Sequence, residues 1–210
     1  MKPALRGWLH VGMVPAVAAA GLVLLVVARA GWPKVTVAVY LVTSLVLFTT
    51  SALYHRGHWS PRAHDLLKRS DHANVYLLIA GTDTPLLGLA LSGVERPAVL
   101  GAVWLAAAAG VLFRTLAPDA PRWLYTPLYA LLGWATAFFL PDVDHRGGTA
   151  VAALVLAGGV AYTAGGLVYA LKRPNPRPHL AGFHEVFHLL TVIGWTCQYL
   201  AIALLVLNPR

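Results

Sequence analysis

Residues 185–207 read EVFHLLTVIGWTCQYLAIALLVL, and they contain no Asp, Lys or Arg, with Glu185 and His188 as the single carboxylate and the single imidazole. About 20 mostly apolar residues let an α-helix cross a hydrocarbon core of ~30 Å, so we predict a membrane-spanning helix here. The whole chain has the same character. Of its 210 residues, 58% are hydrophobic and only 11% are charged, which is not the composition of a soluble globular protein.

Stretches of this length and polarity recur along the chain, with only short connections between them. Seven qualify as spans: residues 8–28, 35–54, 73–92, 98–116, 123–140, 149–171 and 185–207. We therefore predict an all-α fold, a seven-transmembrane helix bundle, in which residues 1–210 form a single membrane domain. No linker, low-complexity tract or convincing internal repeat interrupts it.

Basic residues are unevenly distributed between the two sets of connections. The N-terminus and the connections on its side carry 11 of them: Lys2, Arg6, Arg56, Arg62, Lys68, Arg69, Arg114, Arg122, Lys172, Arg173 and Arg177. The other side carries 5: Arg29, Lys34, Arg96, Arg146 and Arg210. The positive-inside rule then predicts a cytoplasmic N-terminus and an outside C-terminus. A basic rim facing anionic lipid explains the net charge of +8 without a nucleic-acid partner.

Ionisable residues at membrane depth are costly, so each is a functional candidate. Ser51 and His55 lie one helical turn apart at the cytoplasmic end of the second span. Asp71 lies at the start of the third span, and His184 and His188 share one face at the start of the seventh. Hydropathy and charge alone thus predict that three helix ends bring these side chains to one leaflet.

The stretch GFHEVFH, residues 182–188, contains the H-E-x-x-H order of metalloprotease helices. Catalytic zinc usually has three protein ligands, and the 22 residues after His188 contain no His, Asp or Glu. The third ligand must come from upstream, which is not the protease pattern. His55, predicted at the same leaflet, is the best donor, and the result is a tri-histidine zinc site with an open fourth position.

Simpler interpretations apply to most of these residues individually. Asp71 alone is typical of a helix N-cap, and Ser51 of helix packing. Asp83, in GTDTPLLG, lies near mid-span and must face the bundle interior or water, and Pro85 indicates a kink nearby. The histidines for which head-group or backbone hydrogen bonding is the favoured interpretation are His10, His58, His64, His72, His145 and His179.

Several segments together resemble the haemolysin III branch of the progestin and adiponectin receptor family. They are SALYHR (residues 51–56), SDHANVYLLIAGTDTPLLGLAL (70–91), GGVAYTAGGLVYALKRPNPRPHLAGFHEVFH (158–188) and an early LHVG (9–12). The similarity runs nearly from end to end. The wider superfamily includes the alkaline ceramidases, and the resemblance implies seven helices with a cytoplasmic N-terminus.

The resemblance also implies roles for individual residues. His55, His184 and His188 match the zinc ligands, Asp71 matches the family's acidic residue beside the metal, and Ser51 matches the serine one turn before the first ligand. Glu185 varies within the family, which argues against an essential base. Two departures are Asp83, where bacterial relatives usually have an aromatic residue, and LHVG, which matches the family's HGxG only in part and leaves the role of His10 open.

We interpret the chain as an integral plasma-membrane protein that binds zinc and hydrolyses a lipid amide, as ceramidases do. In this hypothesis Asp71 transfers protons, Ser51 hydrogen-bonds the reacting groups, and a membrane lipid is the substrate. Two alternatives stay open: a membrane sensor or receptor stabilised by zinc, and a pore-forming cytolysin. A transporter has less support, since no inverted repeat is evident. The oligomeric state cannot be predicted from the sequence.

Overall fold

The computed structural model describes residues 3–207, and over this range the chain is helical. Its α-helices are α1 (Trp8–Val27), α2 (Trp32–Arg56), α3 (Pro61–Ala90), α4 (Glu95–Leu116), α5 (Arg122–Gly133), α6 (Leu140–Gly147), α7 (Thr149–Leu171) and α8 (Phe183–Leu207). A short 3-10 helix, Ala135–Phe139, joins α5 to α6. The all-α prediction is confirmed. Lys2 and Arg210, which entered the charge count, lie outside the described residues.

Six segments are long and apolar enough to cross a membrane: α1, α2, α4, α7, α8 and the α5–α6 segment Arg122–Gly147. Large apolar side chains cover their outer surface, and Val26, Leu105 and Phe138 are each more than 70% exposed. Such a surface suits lipid and not water. The chain is therefore a multi-pass membrane protein. The seven-span count stays a prediction, because α3 is longer than the others but more polar.

The fifth predicted span, residues 123–140, is not one continuous helix. α5 ends at Gly133, the 3-10 helix follows, and α6 then extends to Gly147, beyond the predicted end. Two features occur at the break: Pro141 lies in the first turn of the next helix, and the Thr136 hydroxyl donates a 2.6 Å hydrogen bond to Oδ1 of Asp83. An interhelical hydrogen bond of this kind cannot be predicted from hydropathy.

α3 is the central helix of the bundle and contacts α2, α4, α5, α6 and α8. Small residues allow the closest approaches, as expected for helices packed in a membrane. A Cβ on Gly81 of α3 would lie 1.9 Å from Oγ1 of Thr43 on α2, so only glycine fits there. Because α3 lies at the centre of the bundle, its polar residues are shielded from the lipid-facing surface.

Interactions between chain segments identify one end of the bundle. The backbone N–H groups of Ala4 and Leu5 donate to the carbonyls of His179 and Leu180, which joins the N-terminal segment to the α7–α8 connection. Further side-chain contacts join the neighbouring helix ends: Arg69 donates to Thr115 O, and Arg122 donates to Tyr169 O. The predicted site residues lie at this end, which we call the histidine end.

Candidate metal centre

Three histidines from α2 and α8 meet at the histidine end. One ring nitrogen from each of His55, His184 and His188 lies within 4.8 Å of the others. The Nε2 atoms of His55 and His184 are 3.1 Å apart. His55 and His188 are buried, and His184 is partly buried. The three imidazoles could therefore hold one metal ion, with nitrogen ligands shielded from water.

The local sequence explains why these rings converge. His55 lies in the last turn of α2, so the His55 side chain is at the end of the bundle. The next helix starts at Pro61, after a short connection. His184 and His188 are separated by one turn in the first two turns of α8 and therefore share a face. Asn175 fixes the start of α8, because its Oδ1 accepts a hydrogen bond from Phe183 N.

Asp71 and Ser51 lie beside the histidines. Oδ2 of Asp71 is 4.0 Å from Nε2 of His55, and Ser51 and Asp71 line the same cavity. Ser51 is buried, whereas the Asp71 side chain keeps 15% of its surface exposed. A carboxylate in this position can exchange protons with a molecule bound at the three imidazoles.

A cavity of about 420 Å³ extends from the histidines into the bundle. At the histidine end its wall includes His184, His188, Ser51 and Asp71. Most of the remaining wall is apolar or aromatic, and it also includes Asp83. A volume in this range suits a small molecule or part of a lipid. The candidate metal centre therefore lies in the wall of a cavity within the membrane-spanning bundle.

The whole-chain comparison agrees with the motifs that build this site. The family model described as haemolysin-III related matches residues 1–199. The chain belongs to the haemolysin III-related family. This family is part of the progestin and adiponectin receptor group, so the resemblance found in the sequence is confirmed. All five residues of the site lie within the matched range.

Two curated bacterial proteins are similar to this haemolysin III-related chain over most of its length. One, named Hemolysin-3, is from Bacillus cereus; it is 29% identical over 170 residues, which are 80% of this chain and 74% of the relative. The other, named Hemolysin-3 homolog, is from Bacillus subtilis strain 168; it is 26% identical over 171 residues, which are 81% and 77% of the two chains.

Glu185 of the haemolysin III-related chain has structural partners. Its Oε1 pairs with the Arg6 guanidinium, and its Oε2 accepts a 2.7 Å hydrogen bond from the backbone N–H of Gly182. The first contact joins the N-terminal segment to α8, and the second caps the helix. Both carboxylate oxygens are thus engaged outside the three-histidine cluster. The arrangement agrees with the expectation that Glu185 is not an essential base.

His10 is the residue beside the site whose position the sequence left open. Its ring stacks on that of His188, with centroids 3.8 Å apart and planes 9° apart, and it packs edge-on against Phe48. His10 also lines the cavity. His10 therefore packs against one candidate ligand, His188, and is not a member of the three-histidine cluster. The partial LHVG match was the only sequence signal for this position.

His72 follows Asp71 in the sequence but has other partners. Its Nδ1 hydrogen-bonds Lys68 O at 2.7 Å, and its Nε2 hydrogen-bonds the Tyr169 hydroxyl at 3.0 Å. Tyr125 and Tyr129 extend this network, which occupies the cavity wall next to the histidines. The interpretation of His72 as a hydrogen-bonding residue agrees with these contacts. Sequence analysis did not identify the tyrosines, which carry no motif.

Proposed function

We propose that this haemolysin III-related protein holds zinc through His55, His184 and His188 and hydrolyses the amide bond of a membrane lipid. One arrangement carries the proposal: a buried tri-histidine cluster beside a carboxyl group, in the wall of an apolar cavity inside a membrane-spanning bundle. Metal, proton acceptor and lipid-compatible cavity are the three parts that such a reaction needs.

Three imidazole side chains are a donor set that suits zinc. The Nε2 atoms of His55 and His184 are 3.1 Å apart, and one nitrogen of each of the three rings lies within 4.8 Å of the others, so a single ion could contact all three rings. Zinc held by these three residues would supply Lewis-acid chemistry, polarising the scissile carbonyl and activating water as the nucleophile.

The chain itself supplies the proton transfers. The Asp71 carboxylate accepts the proton that water loses during attack on the carbonyl carbon, and then donates it to the departing amine nitrogen. Ser51, which lines the same cavity, would donate a hydrogen bond to that carboxylate or to the reacting groups. Because Asp71 lies beside His55 and lines the same cavity, it can reach both the attacking and the leaving group of one bound substrate.

The cavity would bind the acyl chain and exclude bulk water. Leu156, Leu167 and Trp123 line it, yet each of these side chains is also exposed on the outer surface of the bundle. These residues belong to α5 and α7, so the cavity reaches the lipid-facing surface between these helices. This geometry supports substrate access from the bilayer instead of from water.

The membrane orientation is part of the proposal. We place α3 across the bilayer as a seventh span, the N-terminus in the cytoplasm and the metal site near the cytoplasmic leaflet of the plasma membrane. The basic side chains support this placement. Among the described residues, the histidine end carries Arg6, Arg56, Arg62, Lys68, Arg69, Arg114, Arg122, Lys172, Arg173 and Arg177, whereas the opposite end carries Arg29, Lys34, Arg96 and Arg146.

A structural metal in a membrane sensor is the second candidate. His55 and His184 come from α2 and α8, so an ion between them would join two helices as a staple. In that case the metal contributes to stability and Asp71 has no chemical role. The names of the two Bacillus relatives suggest a cytolysin as a further candidate. A cytolysin catalyses no reaction, so it would need neither the histidines nor Asp71 as catalytic groups.

Metal analysis, stability and turnover of matched variants distinguish these functions. We expect purified wild-type protein to contain stoichiometric zinc and to release fatty acid from a panel of ceramide-like amides. His188→Ala should lose zinc and turnover, with the exposed His58→Ala as control. Asp71→Asn should keep zinc and thermal stability but lose activity by about 10²–10⁴-fold, with the exposed Asp65→Asn as control.

The contrary outcomes are equally specific. Zinc-loaded protein that cleaves no amide in the panel, while an active ceramidase assayed beside it does, would reject the hydrolase. Full retention of all measured function by Asp71→Asn, together with a stability loss in His188→Ala, would favour the structural metal. Dye release from liposomes by the wild type, beyond that of an unrelated membrane protein, would favour the cytolysin.

A further inference from the structure

Buried polar atoms without partners are concentrated on the cavity wall. Within residues 3–207, five cavity-lining side chains each have at least one buried nitrogen or oxygen with no hydrogen-bond partner: His10, Asp83, Thr126, Tyr162 and Gln198. Buried polar groups are nearly always hydrogen-bonded, because leaving one unpaired carries its full desolvation cost. The cavity is therefore suited to a molecule that has polar groups along its length, and not only to a plain hydrocarbon chain.

Among residues 3–207, Asp83 and Asp71 are the two carboxyl-bearing residues in the cavity wall. Both residues belong to α3, and 12 helical residues separate them by about 18 Å along the axis, so Asp83 lies deep in the bundle. Its side chain is only 3% exposed. In the part of the chain that the structure describes, no lysine or arginine lines the cavity, so Asp83 has no cationic partner among those lining residues.

One of the two oxygens of Asp83 remains available to a ligand. Oδ1 accepts the hydrogen bond from Thr136, whereas Oδ2 has no partner within the described residues. The neighbouring hydroxyls are engaged elsewhere: Thr82 donates to Leu78 O, and Thr84 donates to Ala80 O. Thr136 thus holds the carboxyl group in place while its second oxygen stays free for a hydrogen-bond donor.

We propose that Asp83 and Thr136 form a polar subsite that binds a hydroxyl group carried on the hydrocarbon chain of a lipid. The subsite rests on the proposed function in one respect: the lipid's polar head lies at the three histidines, and its chain extends along the cavity toward Asp83. A plain chain would leave Oδ2 desolvated and unpaired, whereas a hydroxyl at that depth donates a hydrogen bond to it. Asp83 therefore selects hydroxylated chains.

Competition binding tests the subsite without requiring catalysis. Purified wild-type protein would be loaded with a fluorescent fatty acid and titrated with unlabelled fatty acids of one chain length. The competitors would be unsubstituted, hydroxylated next to the carboxyl group, or hydroxylated in the distal half of the chain. We expect the distal hydroxyl to improve affinity by about tenfold over the unsubstituted chain, and the hydroxyl near the carboxyl group to improve it much less.

Variants identify the side chain responsible. Asp83→Leu should abolish the preference by weakening the distally hydroxylated competitor and strengthening the plain one. Asp83→Asn retains an amide oxygen and should keep part of the preference, which provides a reading if the leucine variant does not fold. Thr82→Val is the matched control, because Thr82 also lines the cavity but its hydroxyl is bound to the helix backbone, and it should keep the full preference.

The subsite would be overturned by equal affinity of wild type for plain and distally hydroxylated chains, which is the outcome if water occupies the site, or by a preference that survives Asp83→Leu. Binding of no fatty acid at all would also overturn it. The readout separates this proposal from the hydrolase. A hydroxyl preference without amide turnover would reject only the hydrolase, and turnover without the preference would reject only the subsite.

Discussion

Gly7 fixes the position of His55 from outside the cluster of histidines. It precedes α1 with φ of 81°, a left-handed conformation that residues with a Cβ rarely adopt. A Cβ at this position would lie 2.6 Å from the Cβ of His55. Alanine would therefore both strain the backbone and push His55 away from His184 and His188.

The two effects of Gly7→Ala have different magnitudes and different readouts. The left-handed conformation costs an alanine about 1–2 kcal/mol of folding free energy. Displacement of a ligand-bearing backbone acts on the metal instead, and disturbing the groups that orient metal ligands typically lowers metal affinity by about 10–100-fold. We therefore expect a moderate loss of thermal stability together with a large loss of bound metal.

Gly31→Ala is the control that isolates the backbone term. Gly31 also has a positive φ, 89°, but a Cβ there would meet nothing within 4 Å, and it lies at the opposite end of α1. Both variants should lose stability in a thermal melt, Gly31→Ala at least as much because its ψ of −141° lies outside the left-handed helical region. Only Gly7→Ala should lose metal by elemental analysis and by competition with a chelator. Equal metal affinity in the two variants would refute the claim that Gly7 positions a ligand.

Two further predictions concern the N-terminal contact and the topology. Glu185→Gln removes the charge that pairs with Arg6 but keeps an acceptor for Gly182 N. We therefore expect the free energy of unfolding to fall by about 1–3 kcal/mol, with metal binding and turnover retained. Abolished turnover at unchanged stability would instead identify Glu185 as a base. The crossing of the bilayer by α3 can be tested with single cysteines that replace His58 or Val94 in a Cys197→Ala background. If α3 crosses, an impermeant thiol reagent should label the two cysteines from opposite sides of the membrane. Labelling of both from the same side would contradict the crossing.

Features that depend on local sequence could be predicted in advance. The hydropathy of α1, α4 and α8 predicted these helices almost to their ends, because a lipid-facing helix must be apolar over most of its length. The spacing of His184 and His188 predicted their shared face, since helical geometry relates residues four apart. Assigning His55 to the same end needed only the alternation of successive spans.

Features that depend on long-range contacts could not be predicted in this way. The end of α5 is coupled to Asp83 through Thr136, 53 residues away in the chain. The stacking of His10 on His188 joins the first and last helices and rests on Gly7, which brings the N-terminal segment against α2. Hydropathy reports how a segment partitions into lipid, and it carries no information about which side chains meet across the bundle.

α3 is the most polar of the long helices, although hydropathy still predicts a span within it at residues 73–92. Its polar side chains, Asp71, Asn74 and Asp83 among them, make it less apolar than the six segments that qualify as membrane spans in the structure. They are tolerated because α2, α4 and α8 surround α3, so those groups face protein or the cavity instead of acyl chains. The same shielding gives α3 two carboxyl groups at two depths of one cavity, Asp71 beside the histidines and Asp83 far from them. In the proposed function, the polar groups that would act on a bound lipid therefore lie on the helix that its apolar neighbours shield from the bilayer.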